Sequence, residues 1–260
     1  MTGSLTLDAY QAAAQRTDQR QSLDDGLAFP LLGLFGETGS LLSEVKKKQR
    51  DQVAYIGYAD SVSEELGDVL WYLAAVTARA ELSLADIGVN LDCELVDWKS
   101  KGPAGLSFAA LETEVPTPRA EPSPAFEKAS LRLAAEVGLL LTDFRAGRLD
   151  HNRSALKGRL IAVLRALRAA AYDAGISLED AARANLVKIT DRWPVERHHP
   201  SFFDVDFPNH EQLPRQLTLS ISEVVQDGKL VAQLTRDGTP IGDPLTDNRT
   251  EDDDYRFHDV

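Results

Sequence analysis

The chain has 260 residues, of which 43% are hydrophobic and 27% are charged, and this composition is typical of a folded globular protein. The 28 Lys and Arg residues against 41 Asp and Glu residues leave a net charge of −13, and a surface this negative argues against a nucleic-acid partner. Cys93 is the single cysteine, so no disulfide forms within the chain and a reducing compartment is favoured. The sequence contains neither an apolar run of ~18 residues nor a basic start followed by an apolar stretch, so we expect a cytoplasmic protein with no membrane partner.

Apolar side chains recur at the helical period through the first part of the chain and predict four helices. The first covers about residues 8–20, the second follows a proline and covers 31–50, and the third covers 61–81. Ser83 is followed three residues later by Asp86, which predicts the capped start of a fourth helix.

Proline and glycine interrupt this pattern at residues 101–124, which predicts a stiff, non-helical linker. Helical periodicity then resumes over about 125–192, with breaks near 147–152 and at Gly175. We therefore expect a second set of helices behind the linker.

The two helical regions resemble each other in sequence. Segment 34–51 aligns with 133–150 through identical Leu, Glu, Gly, Leu, Leu and Asp residues, and the Ser-Leu pair at 83–84 matches the pair at 177–178. The order and spacing predict a duplicated helical unit, although two amphipathic hairpins can also resemble each other by chance.

The C-terminal part has a different pattern. Alternating polar and apolar residues at 217–225 and the stretch at 229–235 flank an Asp-Gly pair, which predicts a β-hairpin. The acidic end of the chain is interpreted as a truncated element or a disordered tail. The chain is thus predicted to be mainly α, with a helical unit at 1–100, a linker at 101–124, a second helical unit at 125–194 and a β-containing extension at 195–260.

Carboxylates are grouped on the second and third predicted helices. Glu37 and Glu44 are two turns apart on one face, and on the next helix Glu65 lies three residues before Asp68 while Glu64 lies four before it. If these helices pack antiparallel, three to five carboxylates converge, and a hard divalent cation relieves their repulsion. Mg²⁺ is the expected ion, with Mn²⁺ as the alternative. A solvated acidic face is the simpler interpretation, because the chain has 41 acids.

The residues GLFGETGSLLSEVKKK at 33–48 and EELGDVLWYLA at 64–74 resemble the MazG-like, all-α nucleoside triphosphate pyrophosphohydrolases. The resemblance includes LDAYQAAAQRT at 7–17 and is weaker over 125–194. It implies a helical bundle in which two copies of one unit pack together, and an Mg²⁺-dependent enzyme that converts a nucleoside triphosphate to a monophosphate and pyrophosphate. The β-rich end resembles a C-terminal extension of some members.

Carried over by this resemblance, Glu37, Glu65 and Asp68 fall on metal-ligand positions. The fourth ligand position holds Ser40, whose hydroxyl is a poor replacement for a carboxylate, and Glu44 could substitute for it directly or through water. Glu64 or Glu44 could also orient the attacking water as a catalytic group.

The family's Asn-x-x-Lys motif, which contacts substrate phosphates, is incomplete in the first half, where Cys93 takes the lysine position. The second half keeps Asn185 and Lys188, followed by Arg192. Conversely, the second half keeps one acid, Glu136, and has lost the others: Leu139 fills the next position, and Arg159 and Ala162 fall near the remaining two. These complementary losses predict one composite site with acids from the first half and Lys188 from the second.

Two further residues are weaker candidates for substrate binding. Lys47 belongs to a run of three lysines and could meet the phosphates, while Trp71 could stack on a base, although core packing is the simpler role. His198 and His199 are interpreted as loop residues. A nucleotide sensor that has lost turnover and a plain assembly scaffold are the alternative functions, and homo-oligomerisation is left open.

Overall fold

The computed structural model describes residues 3–20, 26–93, 102–112, 121–193, 201–226 and 228–245. The chain divides into two compact units, Met1–Arg197 and His198–Val260. Helices dominate the first unit and a small antiparallel sheet lies in the second, which confirms the prediction of a mainly α protein with a β-containing C-terminal part. Within the described residues, no helix is long and apolar enough to cross a membrane.

The described part of the first unit contains seven α-helices. Their bounds are α1 Leu7–Thr17, α2 Ala28–Asp51, α3 Tyr58–Arg79, α4 Leu84–Gly88, α5 Pro124–Arg145, α6 Arg153–Ala174 and α7 Leu178–Arg192. Single 3₁₀ turns lie at Gln52–Ala54 and Ala109–Leu111.

Side-chain caps explain where most of these helices begin. Ser83 accepts hydrogen bonds from the backbone N–H groups of Ala85 and Asp86, as its sequence context predicted. The same type of cap opens four other helices, from Thr6, Ser123, Asn152 and Ser177. Because each cap satisfies backbone donors that have no partner within the helix, these starts are fixed locally.

Three predicted helix bounds differ from the structure. The first helix ends at Thr17 rather than near residue 20, because Asp18 adopts an extended conformation. The second begins at Ala28 and includes Pro30 in its first turn, where a missing N–H breaks no helical hydrogen bond. The third covers Tyr58–Arg79, shifted by two to three residues toward the N-terminus.

Two helical hairpins, α2–α3 and α5–α6, build the core of the first unit. Helix α2 packs on α5, and α3 packs on α1, α6 and α7. Gly67 in α3 is buried, and a Cβ at this position would lie 2.9 Å from both the carbonyl oxygen of Ala181 and the Cβ of Asn185. The absence of a side chain therefore allows α3 and α7 to approach closely.

Residues 102–112 of the predicted non-helical linker at 101–124 contain one 3₁₀ turn and bond to the backbone of Leu5 and Leu7. The N–H of Leu7 donates to Leu106 O at 2.9 Å, and the N–H of Phe108 donates to Leu5 O at 3.0 Å. The Phe108 ring is fully buried and packs perpendicular to the Tyr10 ring, at a centroid distance of 5.5 Å. This segment is thus part of the core and holds α1 in place through these contacts. Burial of the Phe108 ring contributes favourable free energy to the packing.

The second unit contains the predicted hairpin. Strand β1 (Leu219–Gln226) pairs antiparallel with β2 (Lys229–Arg236), which pairs with the short β3 (Thr239–Pro240). The β2–β3 turn contains Asp237 and Gly238, whose φ angles of 52° and 77° suit the right-handed twist of a hairpin. The predicted tail beyond residue 245 lies outside the described residues.

Candidate functional site

Three carboxylates converge between α2 and α3. Glu37 comes from α2, while Glu65 and Asp68 lie one turn apart on α3, and one oxygen of each lies within 4.8 Å of the others. All three side chains are half-buried. The α2–α3 hairpin therefore brings together the three acids that the family resemblance placed at metal-ligand positions.

The electrostatics of this cluster are unfavourable without a counter-charge. Oε2 of Glu65 is buried and has no hydrogen-bond partner in the described part of the chain. Burial, and then the charges of Glu37 and Asp68, raise the pKa of Glu65 to about 7. Burial and the Asp68 charge also raise the pKa of Glu37, against the opposing effect of Lys188.

This arrangement suits a divalent cation. Carboxylate oxygens are the donors that Mg²⁺ and Mn²⁺ prefer, and a buried carboxylate oxygen without a partner has a free coordination position. The donor set and the vacant Glu65 oxygen therefore fit a hard cation bound by Glu37, Glu65 and Asp68.

Helix α7 delivers two polar side chains to the same acids. Lys188 Nζ lies 2.5 Å from Asp68 Oδ2 and 3.0 Å from Glu64 Oε1. Asn185 Nδ2 donates to Asp68 Oδ1 at 2.8 Å, and the side-chain oxygen Oδ1 of Asn185 accepts from the hydroxyl of Tyr10 at 3.0 Å. Burial acts to lower the pKa of Lys188, but its bonds to the two acids outweigh this effect and raise it. Acids and lysine that are about 120 residues apart in the sequence thus lie side by side.

A cavity of about 340 Å³ adjoins the acids. Glu37, Asp68, Lys188 and Arg192 line its polar side, and the aromatic rings of Phe29, Trp71, Tyr72 and Trp193 also line it. Trp71 is half-buried; its Nε1 donates to Thr17 Oγ1 at 3.2 Å, and its ring meets Tyr72 edge-on at 4.8 Å. Trp71 therefore serves both core packing and the cavity wall, which its sequence position alone could not distinguish.

The two candidate catalytic carboxylates lie in different surroundings. Glu64 is exposed, bonds Lys188 and lines a second cavity of about 320 Å³ beside Asp60 and Ser63. Glu44 is buried and is not within the three-acid group. Burial acts to raise the pKa of Glu44, but its bonds to Lys47 and Tyr55 outweigh this effect and lower it.

The environments of Lys47 and Ser40 bear on the substrate and ligand predictions. Lys47 Nζ lies 2.5 Å from Glu44 Oε1 rather than reaching toward the cavity lining. Ser40 is half-buried, one turn beyond Glu37 on α2. The structure therefore groups Glu37, Glu65, Asp68, Lys188 and Asn185, with Arg192 and Trp71 along the adjoining cavity, and leaves Glu44 and Lys47 paired with each other.

Sequence reasoning did not find Tyr10 or the Asp18–Arg79 pair. Tyr10 is fully buried and supports Asn185. Asp18 lines the cavity and is held by Arg79 at 3.0 Å, with both side chains largely buried. In the sequence, each of these residues is only a polar group within or beside an apolar stripe. The residue that it bonds to becomes apparent only when α1 is packed against α3 and α7.

Arginines of α6, rather than acids, lie beside the residues that follow α4. Arg165 donates to Leu91 O at 2.6 Å and to Cys93 O at 3.4 Å, and Arg168 pairs with Asp92 at 2.5 Å. Arg159, near a lost acid position, pairs with Asp143 at 2.6 Å. In the described residues, no second group of three potential metal ligands accompanies these arginines.

Comparisons with known proteins bear on the family of the chain. The family model of the MazG C-terminal domain matches residues 198–260. The Gene 37 protein of Mycobacterium phage L5 is 34% identical over 103 residues, which is 37% of this chain and 90% of that protein. No solved structure gives a significant match. The chain belongs to the MazG-like family, which at family level is associated with hydrolysis of nucleotides at the pyrophosphate bond.

Proposed function

We propose that the chain is an Mg²⁺-dependent nucleoside triphosphate pyrophosphohydrolase, with one site built from both helical halves. The reaction would convert a (d)NTP to the (d)NMP and pyrophosphate. The observation that carries this proposal is the group of three carboxylates within 4.8 Å, contacted by Lys188 and open to a cavity lined by cations and aromatic rings.

Glu37, Glu65 and Asp68 would hold the ion, with Mn²⁺ as an alternative to Mg²⁺. Such an ion supplies Lewis acidity toward phosphate oxygens and lowers the pKa of bound water. The fit is supported by the unpartnered oxygen of Glu65 and by the all-oxygen donor set.

The other residues would bind and orient the substrate. Lys188 and Arg192 offer positive charge to the phosphates, and Lys188 would offset the charge that develops on leaving pyrophosphate. Trp71 would provide a surface for the base. Glu64 keeps a carboxylate outside the three-acid group and is the better placed of the two candidates to orient water, since Glu44 is bonded to Lys47 and Tyr55. Asn185 would orient Asp68.

The proposal is tested by incubating the purified protein with Mg²⁺ and a panel of NTPs and dNTPs, followed by ³¹P NMR. We expect monophosphate and pyrophosphate as products, and a loss of at least a hundredfold in rate for Asp68→Asn. Asp60→Asn, on the same helix but outside the three-acid group, is the matched control and should retain most activity. Release of single phosphate groups, or full activity of Asp68→Asn, would contradict the proposal.

A nucleotide-binding sensor is the second candidate, favoured by Ser40 at the fourth ligand position. A weaker ion site would preserve binding while slowing hydrolysis. Calorimetry that detects Mg²⁺-dependent nucleotide binding, together with no pyrophosphate over hours, would support this function instead of the enzyme.

A further inference from the structure

Both oxygens of Asp68 already have partners within the protein. Lys188 Nζ lies 2.5 Å from Oδ2, and Asn185 Nδ2 lies 2.8 Å from Oδ1. A charged hydrogen bond of this length is among the stronger polar contacts in proteins. The Lys188 ammonium group therefore supplies positive charge at one of the two oxygens through which Asp68 can bind a divalent cation.

The ammonium group and a divalent cation cannot both lie within bonding distance of Oδ2 without strong mutual repulsion, because the charges would be separated by only a few ångströms in a half-buried site. Binding of the ion to Oδ2 of Asp68 therefore requires Lys188 to move away. Glu64, 3.0 Å from Nζ, is an exposed acid and a weak alternative partner.

A polyphosphate offers Lys188 a better alternative. The Lys188 side chain lines the 340 Å³ cavity as well as contacting Asp68, so a rotation within its flexible stem carries Nζ from the acid to a ligand in that cavity. Phosphate oxygens would then stabilise the displaced ammonium group while the ion binds the released carboxylate.

We propose that Lys188 is a built-in counter-ion that competes with the divalent cation for Asp68, so that cation and nucleotide each bind weakly alone and tightly together. The cation part depends only on the acid cluster, whereas the cooperative part rests on the proposed function, because it needs a triphosphate in the cavity. In thermodynamic terms the coupling is reciprocal between the two ligands.

The cation part is tested with Mn²⁺ alone, by calorimetry or by electron paramagnetic resonance of free Mn²⁺. Lys188→Met should bind Mn²⁺ at least tenfold more tightly than the wild type, since the competing charge is gone. Arg192→Met, which removes a cation from the same helix and the same cavity lining, is the matched control and should change the affinity less than threefold. Equal or weaker Mn²⁺ binding by Lys188→Met, in a variant with wild-type circular dichroism, would overturn the inference.

The cooperative part is tested with a saturating, non-hydrolysable α,β-methylene nucleoside triphosphate. The analogue should tighten Mn²⁺ binding by at least tenfold in the wild type and by less than threefold in Lys188→Met. An equal gain in both proteins would overturn the coupling. If the wild type releases pyrophosphate but Lys188→Met binds Mn²⁺ no more tightly than the wild type, only this inference is overturned. If Lys188→Met binds Mn²⁺ more tightly but the wild type hydrolyses no nucleotide, only the proposed enzyme is overturned.

Discussion

At the scale of single residues, Glu65 has the least favourable environment in the site. One of its oxygens is buried without a partner, and its pKa is raised to about 7 by burial and by the neighbouring Glu37 and Asp68. A carboxyl group with a raised pKa holds its proton more tightly in the folded state than in the unfolded chain. Ionisation of Glu65 therefore costs stability unless a cation compensates.

This cost predicts a specific pH dependence. Between the ordinary value of 4.5 and the folded value of about 7, folded Glu65 keeps a proton that the unfolded chain has released, so stability falls as the pH rises through this window. In chelator, the melting temperature of the wild type should drop more between pH 5 and pH 8 than that of Glu65→Gln. Mg²⁺ should restore the wild type mainly at pH 8.

Glu136→Gln in the second half is the control, and it should follow the wild type. If the melting temperatures of the wild type and Glu65→Gln depended on pH in the same way, ionisation of Glu65 would not cost stability as described.

Ser40 permits a test by addition rather than removal. It lies one turn beyond Glu37 on α2, so Ser40→Glu introduces a fourth carboxylate beside the three-acid group. Because the affinity of such sites rises with the number of charged oxygen ligands, we expect Mn²⁺ to bind about tenfold more tightly, equivalent to ~1.4 kcal/mol. Calorimetry measures the change, and Ser40→Ala should leave it near the wild-type value. An unchanged affinity in Ser40→Glu would place position 40 outside the ion's reach.

At the scale of elements, the approach of α3 to α7 determines whether the two halves share a site. Gly67 allows this approach, since a Cβ there would meet Ala181 O and Asn185 Cβ at 2.9 Å. The same contact positions Asn185 against Asp68. A glycine in a helix interior is otherwise unfavourable, which indicates that packing outweighs helix propensity at this point.

Gly67→Ala is therefore expected to push the two helices apart. The free energy of unfolding should fall by about 1–3 kcal/mol, as for other overpacked cores. Gly36→Ala is the matched control: its added methyl meets no atom within 4 Å, and it should stabilise the protein by about 0.4–1 kcal/mol. Urea denaturation followed by circular dichroism measures both, and equal stability of the two variants would refute the close approach.

Local patterns account for what could be predicted from the sequence. Helix periodicity and the Ser83 cap placed the elements, and the i, i+3 spacing of Glu65 and Asp68 placed both on one face. The packing of Phe108 and the bond from Tyr10 to Asn185 could not be predicted, because they depend on which elements meet. The pairing of Glu44 with Lys47 is a local i, i+3 contact on α2, which the sequence spacing allows but does not distinguish from a role at the site. The roles of the site residues stay predictions.

At the scale of the whole molecule, the first unit has one group of convergent acids within its described residues. Near α4, the polar contacts are instead those of Arg165 with backbone carbonyls and of Arg168 with Asp92. Arginine in these positions supplies positive charge where an ion site would need negative charge.

The chain should therefore bind one nucleotide with its ion, although its sequence suggests two related halves. Calorimetric titration with a non-hydrolysable triphosphate and Mg²⁺ is expected to give a stoichiometry of one per chain. A stoichiometry of two would indicate a second functional site and would contradict the composite arrangement.

The most direct measurement is the broadening of side-chain amide signals by bound Mn²⁺ in the ¹⁵N NMR spectrum. Asn185 bonds to Asp68, so a saturating concentration of Mn²⁺ should erase the Asn185 amide signal, whereas Mg²⁺ should leave it visible. Glu65→Gln combined with Asp68→Asn should abolish the effect. If Asn185 kept its signal while Mn²⁺ was bound elsewhere, the acids of the first half and the polar residues of α7 would not form one ion site.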